Sequence, residues 1–126
     1  MGTEPGVYSG SCPARELLDR IANKWTALIV GMLAEAGAPV RFTELRRAIG
    51  GISQKMLTQT LRDLERDGLV TRTVFAVIPP RVEYAVTPLG LTLREPLGAL
   101  SAWSEQHMAE VKEAQRRFDE RIGVSA

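Results

Sequence analysis

Lys55, Gln59, Arg62 and Arg66 recur at intervals of three or four residues, with Thr58 beside them and Ser53-Gln54 just ahead. On a helix turning about 100° per residue, these side chains share one face. Leu57, Leu61 and Leu64 share the opposite face, with Met56 and Thr60 at its margin and Ile52 leading into it. Such an amphipathic helix is ordinarily just a surface helix, but its polar residue types give it a second use. Glutamine matches the edge of adenine, arginine and lysine match guanine O6 and N7, and threonine reaches a phosphate or a thymine methyl. Ser53, Gln54 and Lys55 stand at the N-terminal end, where unpaired amides and the helix dipole favour phosphate. The chemistry on offer is recognition of double-stranded DNA. Its reading residues would be Ser53, Gln54, Lys55, Thr58, Gln59 and Arg62.

A reading helix needs partners that fix its register. Arg46 and Arg47, on the short helix before it, suit backbone phosphates, which position a protein without conveying sequence. Arg81 follows two prolines at a strand end. It either reaches the adjacent minor groove or its phosphates, or pairs with a neighbouring acid.

The other reactive residue types are sparse. Cys12, the single cysteine, cannot form a disulfide within the chain, which fits a reducing cytoplasm. It precedes Pro13 at the start of a helix, where the dipole favours a thiolate and hence reactivity; the alternative is a buried, inert thiol. His107 is the single histidine and has no ligand set around it, so no metal site is expected. Glu83 and Tyr84 read as wing and core residues, not as a catalytic pair. No phosphate-cradling glycine loop and no nucleophile paired with a base is present, so neither catalytic residues nor a cofactor are expected.

The elements that must hold these residues follow from periodicity and breakers. Helices are expected at 13–22, 24–36, 42–49 and 53–67, the second stopped by Gly37 and the fourth by Gly68. A short extended segment at 38–41 separates the second helix from the third, because Pro39 opposes helix. Residues 69–77 and 82–87 read as a hairpin turned at Ile78-Pro79-Pro80-Arg81. Thr87 caps a final helical region at 88–122, with Pro88 at its first position and a kink or restart at Pro96. The fold class expected is mainly α with a small β-hairpin wing (α+β): a winged helix-turn-helix with a C-terminal dimerisation helix.

That last region carries an apolar stripe of Leu89, Leu93, Leu97, Leu100, Trp103, His107, Val111, Ala114 and Phe118. The domain core needs few of these, so the stripe reads as a surface for a second copy, joined by Leu17, Leu18 and Ile21 of the first helix. Dimerisation is assigned to Leu17, Leu93, Leu97, Leu100, Trp103, His107 and Val111. The organisation expected is a flexible tail at 1–11, one domain at 12–122 and a tail at 123–126. Within the domain, 12–22 and 88–122 dimerise and 24–87 form the DNA-binding core with its wing.

Charge agrees once it is divided along the chain. The net charge is only +1, but residues 41–83 carry eight bases against five acids, a net of +3. Residues 1–40 and 84–126 each come to −1. A local excess of this kind suits a local anionic partner or, alternatively, is only a solvated face. No apolar run approaches the ~18 residues of a membrane span, and the start lacks a secretory signal pattern; no membrane partner and a cytoplasmic location are expected.

Over residues 12–107 the chain resembles the HxlR family of winged-helix regulators, relatives of the MarR group. The resemblance rests on Cys12-Pro13, Lys24-Trp25, Arg41-Phe42, Glu44-Leu45, Gly51-Ile52-Ser53, Lys55-Met56-Leu57-Thr58, Leu61-Arg62, Leu64-Glu65 and Asp67-Gly68-Leu69-Val70. It continues through Pro80-Arg81-Val82-Glu83-Tyr84, Thr87, Gly90, Trp103 and His107. It implies a homodimer that binds DNA through the helix at 53–67, a wing at 75–81, and repression or activation of nearby genes. It also implies that a cysteine at the position of Cys12 can sense oxidants or electrophiles. A small apolar or aromatic effector between the dimer helices and the DNA-binding body is a further expectation. The competing reading is a winged helix used for protein interaction without DNA; such domains lose the basic face that Lys55, Arg62 and Arg66 retain here.

Overall fold

A computed structural model describes residues 6–123. The expected tails at 1–11 and 123–126 therefore lie partly outside the described residues. Within them, residues 6–11 form turns closed by the Ser9 N–H on the Gly6 carbonyl (2.9 Å) and the Cys12 N–H on the Ser9 carbonyl (3.2 Å).

Nine elements follow in order: α1 (Pro13–Ile21), α2 (Lys24–Ala36), β1 (Val40–Arg41), α3 (Phe42–Ala48), α4 (Gln54–Arg66), β2 (Val70–Phe75), β3 (Arg81–Val86), α5 (Pro88–Leu91) and α6 (Arg94–Arg121). The chain divides into a body that ends at Arg94 and a second unit that begins at Glu95. Among the described residues no helix is long and apolar enough to cross a membrane.

Local chemistry sets these limits. Asn23 caps α2, its side chain accepting the Thr26 N–H at 3.0 Å. Gly68, at φ +76°, turns the chain after α4 in a conformation that a side chain would strain. Thr87 caps α5 by accepting the Gly90 N–H at 3.0 Å, and its own hydroxyl donates to the Gly68 carbonyl at 2.7 Å.

The final helical region departs from expectation. The break falls not at Pro96 but before it: α5 ends at Leu91, Thr92 and Leu93 form a turn, and α6 begins at Arg94. Pro96 then sits in the first turn of α6, where a backbone N–H would have no intrahelical partner, so its missing donor costs nothing. Leu93 consequently lies in the turn, not on the helix.

β1, β3 and β2 form an antiparallel sheet in that order. β1 pairs Val40 with Tyr84 and Arg41 with Glu83, while β2 pairs from Val70↔Val86 to Phe75↔Arg81. The hairpin is shorter than expected at its open end, since Leu69 and Thr87 stand just outside the ladder. Beneath the sheet, Ile29, Val30 and Leu33 of α2 pack in a core with Leu45, Leu57, Leu61 and Val70, each at most 2% exposed. Burying side chains of this size contributes about 1.5–3 kcal/mol apiece before entropy is counted. That burial fixes which way α4 faces.

Candidate nucleic-acid interface

α4 carries the site. Leu57, Thr60, Leu61 and Leu64 are buried, so the helix is clamped to the body by one face. Gln54, Lys55, Thr58, Gln59, Arg62 and Arg66 are all exposed on the remainder. Met56, expected at the margin of the core, is instead 42% exposed.

The entrance to α4 is rigidly set. Ser53 has extended backbone angles (φ −79°, ψ 159°), and its Oγ accepts the Met56 N–H at 3.0 Å. That bond satisfies one of the four free amides of the first turn and leaves others available to an anion. Ser53→Ala is expected to lower stability by about 1 kcal/mol, read as a lower urea midpoint with an unchanged slope.

The outward side chains differ in how far they are committed. Arg46 of α3 donates from Nη1 to Gln54 Oε1 at 3.4 Å, tying α3 to the start of α4. Gln59 donates from Nε2 to Asp63 Oδ1 at 3.0 Å. Among the described residues, Lys55, Arg62 and Arg47 engage in no ion pair. These three cations are ready for phosphate or a base edge.

Arg81 is placed differently from the groove-reaching role. Its Nε lies 3.1 Å from Glu83 Oε2, in an orientation outside hydrogen-bond geometry, so the attraction is Coulombic. Its guanidinium also stacks over the Phe75 ring at 4.4 Å, which the register Phe75↔Arg81 brings about. The alternative of a strand-end ion pair is therefore the arrangement adopted. The tip of the wing offers Ile78, fully exposed, and Val77, half-exposed.

Two residues to which the sequence reading gave no DNA-binding role also face this region. Arg41 and Thr43, where β1 enters α3, line a groove of about 580 Å³ with Ile78 and Pro79 of the wing tip. Nothing in their spacing marks them; β1 pairing with β3 brings them there.

Away from α4, Cys12 is the N-cap of α1, its carbonyl accepting the Arg15 and Glu16 N–H groups, and it is buried at 3% exposure. α1 itself buries none of its residues, and Leu17 and Leu18 are 39% and 47% exposed. In the second unit, Leu100, Trp103 and Phe118 stand exposed along α6, whereas Leu97 is buried and His107 and Val111 are half-buried. Trp103 and His107 rings lie 4.9 Å apart, and His107 Nδ1 meets Glu110 at 2.9 Å. Further along, Arg116 bridges Glu113 and Glu120; its guanidinium holds the Glu113 carboxyl below its ordinary pKa.

Comparison with known proteins agrees with this geometry. The model of the HxlR-like helix-turn-helix family matches residues 20–112. The uncharacterized HTH-type transcriptional regulator YtfH of Escherichia coli (strain K12) is 44% identical over 108 residues, covering 86% of this chain and 84% of its own. The solved structure of the transcriptional regulator ytfH from Salmonella typhimurium superposes with a TM-score of 0.80 at 40% identity, covering 90% of this chain and 99% of that one. The redox regulator HypR in its oxidized form is also similar, with a TM-score of 0.65, 39% identity, and coverage of 75% and 96%. The chain belongs to the HxlR-like helix-turn-helix family.

Proposed function

We propose that this protein is a sequence-specific, DNA-binding transcription regulator that acts as a homodimer on a palindromic operator. The observation that carries the reading is α4, docked by buried leucines on one side and presenting Gln54, Lys55, Thr58 and Arg62 to solvent on the other. Membership of a family of helix-turn-helix regulators supports the same conclusion. Arg46 and Arg47 serve as phosphate contacts and Ser53 presents its helix terminus. Gln59 joins the reading face when it leaves Asp63, and Arg81 stiffens the wing more than it reaches DNA.

Residues 88–122 and 12–22 are the dimer-forming parts of the scheme, with 24–87 as the DNA-binding core. The exposed Leu17, Leu100, Trp103 and Phe118 support this, because apolar side chains left on long helices are the surface a second copy covers. A two-fold dimer of this kind sets its reading helices about 34 Å apart, one per half-site. The protein works in the cytoplasm, without catalysis and without a cofactor.

Fluorescence anisotropy on DNA from upstream of its own gene, against scrambled DNA and across a salt series, tests the reading. Selective binding that weakens steeply with salt is expected. Absence of selective binding there and in a genome-derived DNA library would move the protein-interaction reading to first place.

Redox sensing at Cys12 is a second part of the proposal, supported by similarity to a solved redox regulator. Oxidation would join or cap the thiol and shift α1. Native protein is expected to release its operator under diamide, and Cys12→Ser protein to hold it. Identical release by the two proteins would sink the sensor.

A further inference from the structure

The inner edge of α4 has a second neighbour besides the core. A cleft of about 280 Å³ opens between α4, the end of α1 and the start of α2. Its apolar walls are Ile21, Trp25, Met56 and Leu64. Met56 is 42% exposed on a helix whose leucines are sealed, and Trp25 is half-buried. A methionine and a tryptophan left facing one recess form an adaptable, polarizable surface suited to a flat ring. The volume is near the lower end of the ~300–1,000 Å³ of small-molecule sites.

The polar rim decides what kind of ring. Arg20 is held by Asp67: Nε and Nη2 donate to Asp67 Oδ2 and Oδ1 at 2.9 and 3.0 Å, and the pairing raises its pKa above the ordinary value. Asp67 is therefore neutralised by the same fork. Asp63 has only the neutral amide of Gln59, at 3.0 Å. Among the described residues it meets no cation within ion-pair distance. Lys24 stands outside, its ammonium 4.5 Å from the Trp25 ring centroid. The recess thus pairs an aromatic wall with one carboxylate that no cation among the described residues reaches at ion-pair distance. That carboxylate feels Arg20 only through space, Arg20 being held by Asp67.

We infer that this cleft is an effector site for a small aromatic cation, of the class of protonated aromatic amidines and amines, with Asp63 as its anchor. The ring lies against Trp25 and Met56, and the charged N–H groups donate to Asp63. Asp63 is also what holds Gln59, so the ligand takes the carboxylate and releases the amide onto the outward face of α4. A ligand would in this way alter DNA affinity through the reading helix itself; that coupling, though not the site, rests on the DNA-binding reading.

Benzamidine is a suitable probe and benzoate its anionic counterpart. In ¹H–¹⁵N spectra of the full chain, benzamidine is expected to shift the Trp25 indole N–H and the Gln59 side-chain amide saturably, leaving the Trp103 indole in place. Asp63→Asn should weaken binding at least about ten-fold, the loss of one charge-assisted contact. Gln59→Ala, which frees the anchor, should tighten binding several-fold and guards against a misfolded Asp63 variant. No saturable shift of Trp25, an equal response to benzoate, or weaker binding by Gln59→Ala would overturn the site. None of these readouts uses DNA, so their failure is separable from failure of the regulator reading; anisotropy with and without benzamidine then tests the coupling.

Discussion

Arg62→Ala is expected to weaken operator binding by about 2–6 kcal/mol in the dimer, from about 30-fold to 10⁴-fold. The range is that of one lost reading contact, about 1–3 kcal/mol, taken once in each half-site. Arg62 stands exposed on α4 between the buried Leu61 and the half-buried Asp63, with no ion pair among the described residues. Its charge is therefore available to an anionic partner. Anisotropy at several salt concentrations separates two ways in which the loss could arise. A base-reading arginine gives a loss that is large on the operator and small on scrambled DNA. A phosphate-binding arginine weakens both alike and flattens the salt dependence by about one unit of slope per protomer. Unchanged affinity on both DNAs would remove Arg62 from the interface. Thermal melts of the variant should match the native protein, since the side chain supports nothing beneath it.

Gly90→Ala should be the most damaging small substitution for stability, by about 2–4 kcal/mol. Gly90 is buried in α5, directly over the chain where it enters β2. A Cβ there would collide with the Leu69 carbonyl oxygen and lie 2.6 Å from Val86 Cγ2. Val86 can rotate aside. The carbonyl cannot, because it is backbone and already accepts the Thr87 N–H at 3.0 Å. Relief therefore requires α5 to lift off the sheet and weaken that hydrogen bond. Overpacking costs about 1–3 kcal/mol and a lost bond adds about 1 kcal/mol. Urea denaturation at matched protein concentration would show a midpoint about 1–3 M lower, taking an ordinary slope for a small domain. A midpoint within experimental scatter of the native one would mean that α5 does not pack as described.

The contrast between these two positions reflects what a sequence carries in plain view. Arg62 was legible because helical periodicity assigns it to a face, and the neighbouring leucines say which face is buried. Caps were legible for the same local reason: Ser53, Thr87, Gly37 and Gly68 act on the chain within a few residues of themselves. Long-range partners were not. The Arg20–Asp67 fork spans 47 positions, and nothing in either neighbourhood predicts the other. Arg81 had two readings in the sequence because its Phe75 and Glu83 contacts depend on a hairpin register that the sequence leaves open by a residue or two. The break before α6 was placed at Pro96 since proline is the visible breaker, whereas a proline in a first helical turn breaks nothing. Met56 was placed at the margin of the buried face by its position on the helix, and only the packing of α1 and α2 beside α4 leaves a recess there.

Cys12 has a consequence of a different kind. A thiol at 3% exposure meets a dissolved oxidant only during the moments when its surroundings open. It caps a nine-residue helix that buries none of its own residues, so that opening is the fraying of a terminus and not the unfolding of the body. The proposed sensor would then act as a kinetic filter: brief oxidant pulses shorter than the opening interval pass unregistered, and sustained exposure is integrated. Its threshold would be set by dwell time, and any substitution that loosens the start of α1 would quicken the response without touching the sulfur.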